Sequence, residues 1–222
     1  MRHRTTKETR ATFAPTMVRA VLAREKTETR RLTSLEEVNK SPDLWHLVSL
    51  IGNIATFDNS AGRLLKIKLP FFDRKHLAVC EAFRMEKRFD TFTAKQVDHG
   101  VFTLPSKYGK FIDLQFYFDA DNKPLPEWAG KPRHASQMPV RFRRIELVTV
   151  GASLQRLHEI NAHSVQAEGT LFWARENKVQ FNVSDTRSLF FQMWDLFNPS
   201  VLAINNPWVV VVKFLPHGEG EI

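Results

Sequence analysis

The sequence predicts an α+β fold, because helical and strand patterns both occur around enough apolar residues for a core. The chain has 222 residues, of which 43% are hydrophobic, so it can bury one substantial core. A helical stripe follows Pro15, residues 63–69 alternate, and residues 208–214 form a near-continuous apolar run. Length favours one domain, placed at residues 13–222 after a flexible basic arm at residues 1–12.

The first helix begins near Pro15, whose missing N–H needs no partner in a first helical turn. The apolar residues that follow form one stripe that should face a core: Met17, Val18, Val21 and Leu22. We expect this helix to end near Arg24, since the β-branched threonines beyond it favour an extended chain. Lys26 should therefore lie near the helix C-terminus, with Thr29 one extended step further on.

The middle of the chain shows shorter patterns, and we interpret residues 71–137 as an insertion. The assigned segments are a helix at 32–41 capped by Ser34, a strand at 63–69, a helix at 76–87, strands at 101–104 and 111–118, and a surface connection at 123–139.

Clearer signals return in the last third of the chain. Residues 141–150 alternate as a strand, and 208–214 predict a final strand. Asn161 is an N-cap for a short helix that runs through Glu168 and closes at Gly169. A further helix is expected at residues 186–198, with Ser184 or Asp185 as its cap.

Cysteine and histidine usage excludes several classes of protein. The single cysteine, Cys80, cannot form an internal disulfide, and its apolar neighbours predict a packed thiol. The eight histidines are scattered without metal-ligand spacing, so we expect neither a metal nor a cofactor. Neither a membrane span nor an export signal is visible, which predicts a cytoplasmic protein.

The positive charge is concentrated at one end of the sequence. Residues 1–31 hold nine Lys and Arg against three Glu, whereas the other 191 residues hold 23 basic and 21 acidic groups. Such a local excess suits ligands that carry phosphate, so nucleic acid or a nucleotide is the expected partner. Arg24, Arg30 and Arg31 stand next to ordered elements and are the candidate phosphate-binding residues.

A family resemblance rests on the run Met17 to Arg31, which reads Met-Val-Arg-Ala-Val-Leu-Ala-Arg-Glu-Lys-Thr-Glu-Thr-Arg-Arg. It resembles the signature of the ASCH domain family of PUA-like proteins, and in particular the larger phage and prophage members. That signature has Gly-Arg where this chain has Arg24-Glu25. Further family patterns are matched at Met138-Pro139, Ala167-Glu168-Gly169 and Asn206-Pro207-Trp208, so the resemblance covers residues 13–32 and 138–214.

The resemblance implies a PUA-like mixed β-barrel, with a helix beside a cleft and the inserted α/β segment at 71–137. Many relatives bind RNA or modified bases in that cleft. Some small relatives resemble amidohydrolases that remove the acetyl group from acetylcytidine with a Lys, a Thr and a Glu. Carried over to this sequence, those residues are Lys26, Thr29 and Glu168.

The chemistry of these three residues leaves two roles open. A threonine becomes a nucleophile when a base takes its proton, and a lysine is such a base only where burial or nearby cations lower its pKa. A helix C-terminus instead favours a charged Lys26, which would bind a phosphate or a carbonyl oxygen. Glu168 would exchange a proton with a leaving amine or accept a hydrogen bond from the exocyclic amine of a base.

Three functions follow as hypotheses. The first is binding of nucleic acid or a nucleotide base through a basic cleft that contains Lys26, Thr29, Arg31 and Glu168. The second is an amidohydrolase that acts on an acylated cytidine with the same residues. The third is a phage accessory protein whose insertion at 71–137 binds a protein partner.

Overall fold

The structure is a computed structural model that describes residues 9–72, 76–103, 114–139, 142–182 and 185–216, without the side chains of residues 99–103. It has an α+β fold, as predicted. The helices are α1 (Pro15–Leu22), α2 (Ala94–Thr103), α3 (Ala162–Ala167), α4 (Thr170–Glu176) and α5 (Thr186–Phe197). The strands are β1 (Thr9–Thr12), β2 (Glu28–Arg31), β3 (Trp45–Ile51), β4 (Ile54–Asn59), β5 (Leu64–Lys68), β6 (His76–Cys80), β7 (Phe83–Met85), β8 (Phe116–Phe118), β9 (Glu146–Arg156) and β10 (Trp208–Pro216).

In the part of the chain that the structure describes, the strands form three sheets. The largest has the order β1-β6-β9-β10-β2, a second has the order β3-β4-β5, and β7 pairs with β8. Strand β10 lies between β9 and β2 and is antiparallel to both, with Val212 opposite Thr29. Within the described ranges, none of the helices has the length and apolar character that a membrane crossing requires.

The chain divides into two compact units, one within residues 1–9, 20–77 and 147–222 and the other within residues 10–19 and 78–146. In the first unit, residues Val209–Val212 of β10 are all buried, so this strand is covered on both faces. Phe190 and Trp194 of α5 are also buried. Asn39 braces the start of β10, because its side chain donates to the carbonyl of Trp208 and accepts from the Trp208 N–H.

The second unit has a separate apolar core around β7. Its buried members are Cys80, Phe83, Met85, Ala94, Val97, Ala135, Met138 and Phe142. Cys80 is 1% exposed, which confirms the prediction of a packed thiol. The buried Glu81 in this unit is held by Arg144, whose Nε and Nη2 donate to its two carboxylate oxygens at 2.9 and 2.8 Å.

Most predicted elements at the two ends of the chain are confirmed. The first helix begins at Pro15 and buries Met17, Val18 and Val21, but Leu22 is 53% exposed and Ala20 is buried instead. Asn161 caps α3 as predicted, since its side chain accepts from the N–H of Ser164. Further confirmed elements are the strand at 63–69, the helix at 186–198 with Asp185 as cap, and the final strand.

The predicted helix at residues 76–87 is wrong, because this segment contains strands β6 and β7. Leu77, Ala78, Val79 and Cys80 are all at most 1% exposed. A continuous apolar run is typical of a strand covered on both faces, and periodicity alone does not separate such a strand from a buried helix. The long-range pairing of β6 decides between the two.

Other segments also differ from the prediction. Residues 32–41 contain only a 3-10 turn at Val38–Lys40, and Ser34 has a left-handed backbone (φ 67°) instead of capping a helix. The strand expected at 101–104 is wrong up to Thr103, which ends helix α2. Residues 9–12 of the predicted flexible arm form strand β1 instead. The strand expected at 141–150 is wrong at residues 142–145, since β9 begins at Glu146. Residue 104, residues 111–113 of the expected strand 111–118, Arg141, Ser184 and residues 1–8 of the arm lie outside the described residues.

Candidate functional site

The segment between α1 and β2 begins with a tight helix cap. The N–H of Arg24 donates to the carbonyl of Val21 at 3.0 Å, and the N–H of Glu25 donates to the carbonyl of Ala20 at 2.9 Å. These two bonds form a Schellman motif, which requires a left-handed residue at the position of Arg24. Arg24 has φ 61°, so a non-glycine residue occupies a conformation that favours glycine.

This cap allows a prediction about stability. Arg24→Gly should be more stable than Arg24→Ala by about 1 kcal/mol, because alanine retains the steric cost of the left-handed conformation and glycine does not. Both substitutions remove the same exposed side chain, so the comparison isolates the backbone. Urea unfolding of the two variants measures the difference. Equal stabilities would show that residue 24 does not have a left-handed conformation in solution.

The cap directs Lys26 onto Glu168, which lies 142 residues further along the chain. Lys26 Nζ donates to Glu168 Oε2 at 2.6 Å and to the Glu168 carbonyl at 2.7 Å. The two residues also form an isolated antiparallel β-bridge. Both are 4% exposed, so the ion pair is removed from bulk water.

The position of Glu168 depends on the turn that joins α3 to α4. Glu168 is the C-terminal cap of α3, and Gly169 follows with φ 77°. A Cβ at Gly169 would lie 3.1 Å from the Cβ atoms of both Ala20 and Lys26. The N–H of Thr27 donates to the carbonyl of Ala167 at 2.8 Å, which holds the two segments together. Glycine is therefore needed for both the turn and the close approach to Lys26.

Strand β2 adds a second cation to Glu168. Arg30 Nη1 donates to Glu168 Oε1 at 3.0 Å and lies 3.5 Å from Glu28 Oε2. Lys213, which is paired with Glu28 across the strands, extends the network at 3.4 Å. We define Lys26, Glu28, Arg30 and Glu168 as the buried ionic cluster, since each is at most 6% exposed.

The structure brings together some of the candidate residues but not all. Glu28 and Arg30 are two residues apart on β2 and share one face, whereas Thr29 between them projects from the other face. Arg31 interacts electrostatically with both Lys26 and Glu168. Thr29 is 5% exposed, and among the described residues its hydroxyl makes no hydrogen bond to Lys26 or Glu168. Arg24 is exposed to solvent at the cap. The catalytic and phosphate-binding roles of these residues stay predictions.

The electrostatics favour a charged Glu168 and a more acidic Lys26. Burial raises the pKa of the Glu168 carboxyl, but Lys26 and Arg30 outweigh burial and leave this pKa below its usual value. Burial lowers the pKa of Lys26, and Arg31 and Arg30 lower it further, against the opposing effect of Glu168. Burial also lowers the pKa of Arg31 to about 10, with Glu168 opposing. Burial is the main cause of the lowered pKa values of the two cations, whereas the neighbouring cations cause the lowered pKa of the carboxyl.

The buried ionic cluster is a candidate site because burying charge is costly. A buried ion pair is weak evidence for stability, since desolvation of both ions offsets their attraction. Perturbed pKa values with identified charge partners are enriched at functional sites. The cluster offers a carboxylate that accepts hydrogen bonds from amines and a lysine that donates or takes a proton. Among the described residues, no group of three or more His, Cys, Asp or Glu is placed to hold a metal ion.

Sequence reasoning missed Glu28 as a member of this cluster. Its signal was the strand pattern after Lys26, which places residues 28 and 30 on the same face of β2.

Comparison with known proteins gives no further assignment: no family model, curated protein or solved structure matches this chain significantly.

Proposed function

We propose that this protein binds a nucleobase, as a nucleoside, a nucleotide or part of a nucleic acid, at the buried ionic cluster. The observation that carries the proposal is the 2.6 Å contact between Lys26 Nζ and Glu168 Oε2, which joins two distant parts of the chain away from water. Base edges present amine donors beside carbonyl or ring-nitrogen acceptors. A carboxylate beside an ammonium group is complementary to such an edge.

The resemblance to ASCH domains supports the same proposal. The matching residues Lys26 and Glu168 are in direct contact. The family glycine corresponds to Arg24, whose left-handed backbone is the conformation that glycine favours. We therefore include in the proposal that the α+β fold is an ASCH domain of the PUA-like type, with its barrel and cleft.

Charge also favours a ligand that carries phosphate. The segment from residue 1 to residue 31 has an excess of six positive charges. Its described part contributes Lys26 and Arg30 to the buried ionic cluster. Lys and Arg near a binding site attract phosphate and release counterions. A nucleotide should therefore bind more tightly than its nucleoside, with an advantage that falls as salt rises.

Binding can be tested by calorimetric titration with cytidine, adenosine, their monophosphates and short RNA and DNA oligonucleotides. Lys26→Met and Glu168→Gln should each weaken base binding at least tenfold, because each removes one partner of the base edge. Lys66→Met is the matched control, since Lys66 is an exposed lysine on β5. Equal affinity in Lys26→Met and wild type would reject this site. Loss of binding in the control would show a nonspecific effect of charge.

A second candidate function is hydrolysis of an acylated cytidine, which is favoured by the lowered pKa of Lys26. In this reaction the neutral Lys26 amine takes the proton of the Thr29 hydroxyl as its oxygen attacks the acyl carbon. The carbon–nitrogen bond then breaks, and the Lys26 ammonium returns the proton to the leaving amine. Water hydrolyses the acyl-threonine ester to release the acid.

Hydrolysis ranks second because Thr29 projects from the other face of β2 than Arg30. Acetylcytidine turnover, followed by absorbance and by acetate release, tests this function. Activity that is lost in both Lys26→Met and Thr29→Val would support it. Turnover that persists in Thr29→Val would exclude the acyl-threonine route, and absence of turnover in wild type would exclude hydrolysis of this substrate.

A further inference from the structure

We propose that Arg30 is a positioning residue, which acts on the ligand through Glu168 by fixing its carboxylate against Lys26. The inference rests on the proposed function of Lys26 and Glu168 as the pair that reads a base edge. It differs from the phosphate contact that the sequence suggests for Arg30. Arg30 donates to Oε1 of Glu168, whereas Lys26 donates to Oε2.

The geometry places one cation on each oxygen of the carboxylate. Lys26 Nζ is 2.6 Å from Oε2, and Arg30 Nη1 is 3.0 Å from Oε1. Hydrogen bonds between ionised groups are stronger than neutral ones, and two of them from different segments resist rotation of the carboxylate plane. With Lys26 as its only partner, the carboxylate plane could still rotate. Arg30 therefore determines the direction in which Glu168 presents its lone pairs.

Arg30 is itself held in place. It is 6% exposed, its guanidinium carbon lies 5.8 Å from the centre of the Phe190 ring, and Glu28 lies on the same side of the strand. Its backbone is paired with Val211 of β10. A guanidinium that is enclosed in this way is poorly placed for the phosphates of a polymer in solution, but it is well placed to orient a neighbouring carboxylate.

Arg30 also belongs to the set of charges that keeps Glu168 ionised. The charged groups near this carboxylate are Lys26, Arg30 and Arg31, and Glu28 links Arg30 to Lys213 at the edge of the network. Removing Arg30 should raise the pKa of Glu168, because one stabilising cation is lost. It should also raise the pKa of Lys26, because one repelling cation is lost. Both changes test whether Arg30 acts on Glu168 and Lys26 through its charge.

The test measures the Glu168 carboxyl directly, without any ligand. Protein labelled with carbon-13 at the glutamate carboxyls is titrated by NMR, and Glu168→Gln identifies the resonance. In wild type, Glu168 should titrate below the ordinary value of 4.5. Arg30→Gln should raise this pKa, and Arg30→Lys should raise it less, because lysine retains the charge. Arg175→Gln, which breaks the exposed pair with Glu25, should leave it unchanged.

Ligand binding supplies the second measurement. Arg30→Gln should weaken base binding at least tenfold. The loss of binding at low pH, which follows protonation of Glu168, should move to higher pH in this variant. Arg30→Lys should recover part of the affinity. An unchanged Glu168 pKa in Arg30→Gln would overturn the inference. If that variant does not fold, a wild-type Glu168 that titrates at or above its ordinary value would overturn it. A raised pKa in Arg30→Gln, with no base bound by wild type, would support the positioning role and reject the proposed ligand.

Discussion

Glu168→Gln should lower the free energy of unfolding by about 3–5 kcal/mol, because it leaves Lys26 and Arg30 buried without the carboxylate that they share. Lys26→Met should have a smaller cost, since Arg30 still pairs with Glu168 after the lysine is removed. The double variant Lys26→Met with Glu168→Gln should lose less than the sum of the two single losses. We expect a coupling of about 1–3 kcal/mol, in the range for residues in one ionic network.

Chemical unfolding of the four proteins in this cycle at neutral pH measures the coupling. Glu25→Gln is the matched control, because Glu25 also forms a salt bridge, with Arg175, but both side chains are about half exposed. That substitution should cost less than about 1 kcal/mol, as is typical of surface ion pairs. Additive losses for Lys26 and Glu168 would mean that the two groups do not interact in solution, which would also remove the basis for the proposed site.

Gly169→Ala should destabilise the protein by about 3 kcal/mol and weaken ligand binding. The left-handed backbone at φ 77° costs alanine about 1–2 kcal/mol. The new methyl group would also lie 3.1 Å from the Cβ atoms of Ala20 and Lys26, and relieving that overlap costs about 1–3 kcal/mol more. Because the new methyl group would overlap with Lys26, the turn that carries Glu168 should move away from the lysine.

Gly62→Ala separates the two contributions. Gly62 has nearly the same backbone, with φ 76°, but a Cβ there meets nothing within 4 Å. It should therefore show only the conformational cost, of about 1–2 kcal/mol, and should bind ligand normally. Thermal unfolding and the calorimetric titration provide both readouts. Equal effects of the two substitutions would show that residue 169 is not packed against Lys26.

Local patterns in the sequence predicted the elements that carry the site. Pro15 and the apolar stripe placed α1, and the threonines beyond Lys26 indicated the extended strand β2. Asn161 and Gly169 marked the two ends of the α3 turn, which placed Glu168 at its last residue. These signals are readable because caps and periodicity depend on residues within one or two turns of each other.

Prediction failed where distant pairing decides the structure. Residues 77–80 form a continuous apolar run that suits a buried helix or a buried strand equally, and only the sheet selects the strand. Arg30 is a comparable case within the site. As part of a basic run it suggested phosphate binding, whereas in the fold its nearest carboxylate is Glu168, 138 residues away.

The sequence by itself determined that an ammonium group follows a helix end and that a carboxylate precedes a glycine turn, since both depend on neighbouring residues. The tertiary structure decided that these two groups meet at 2.6 Å and that Arg30 completes the carboxylate's partners. It also decided that Thr29 projects from the opposite face of β2. The physical reason is that an ion pair between remote segments depends on how the strands and turns pack, and no local pattern encodes that packing.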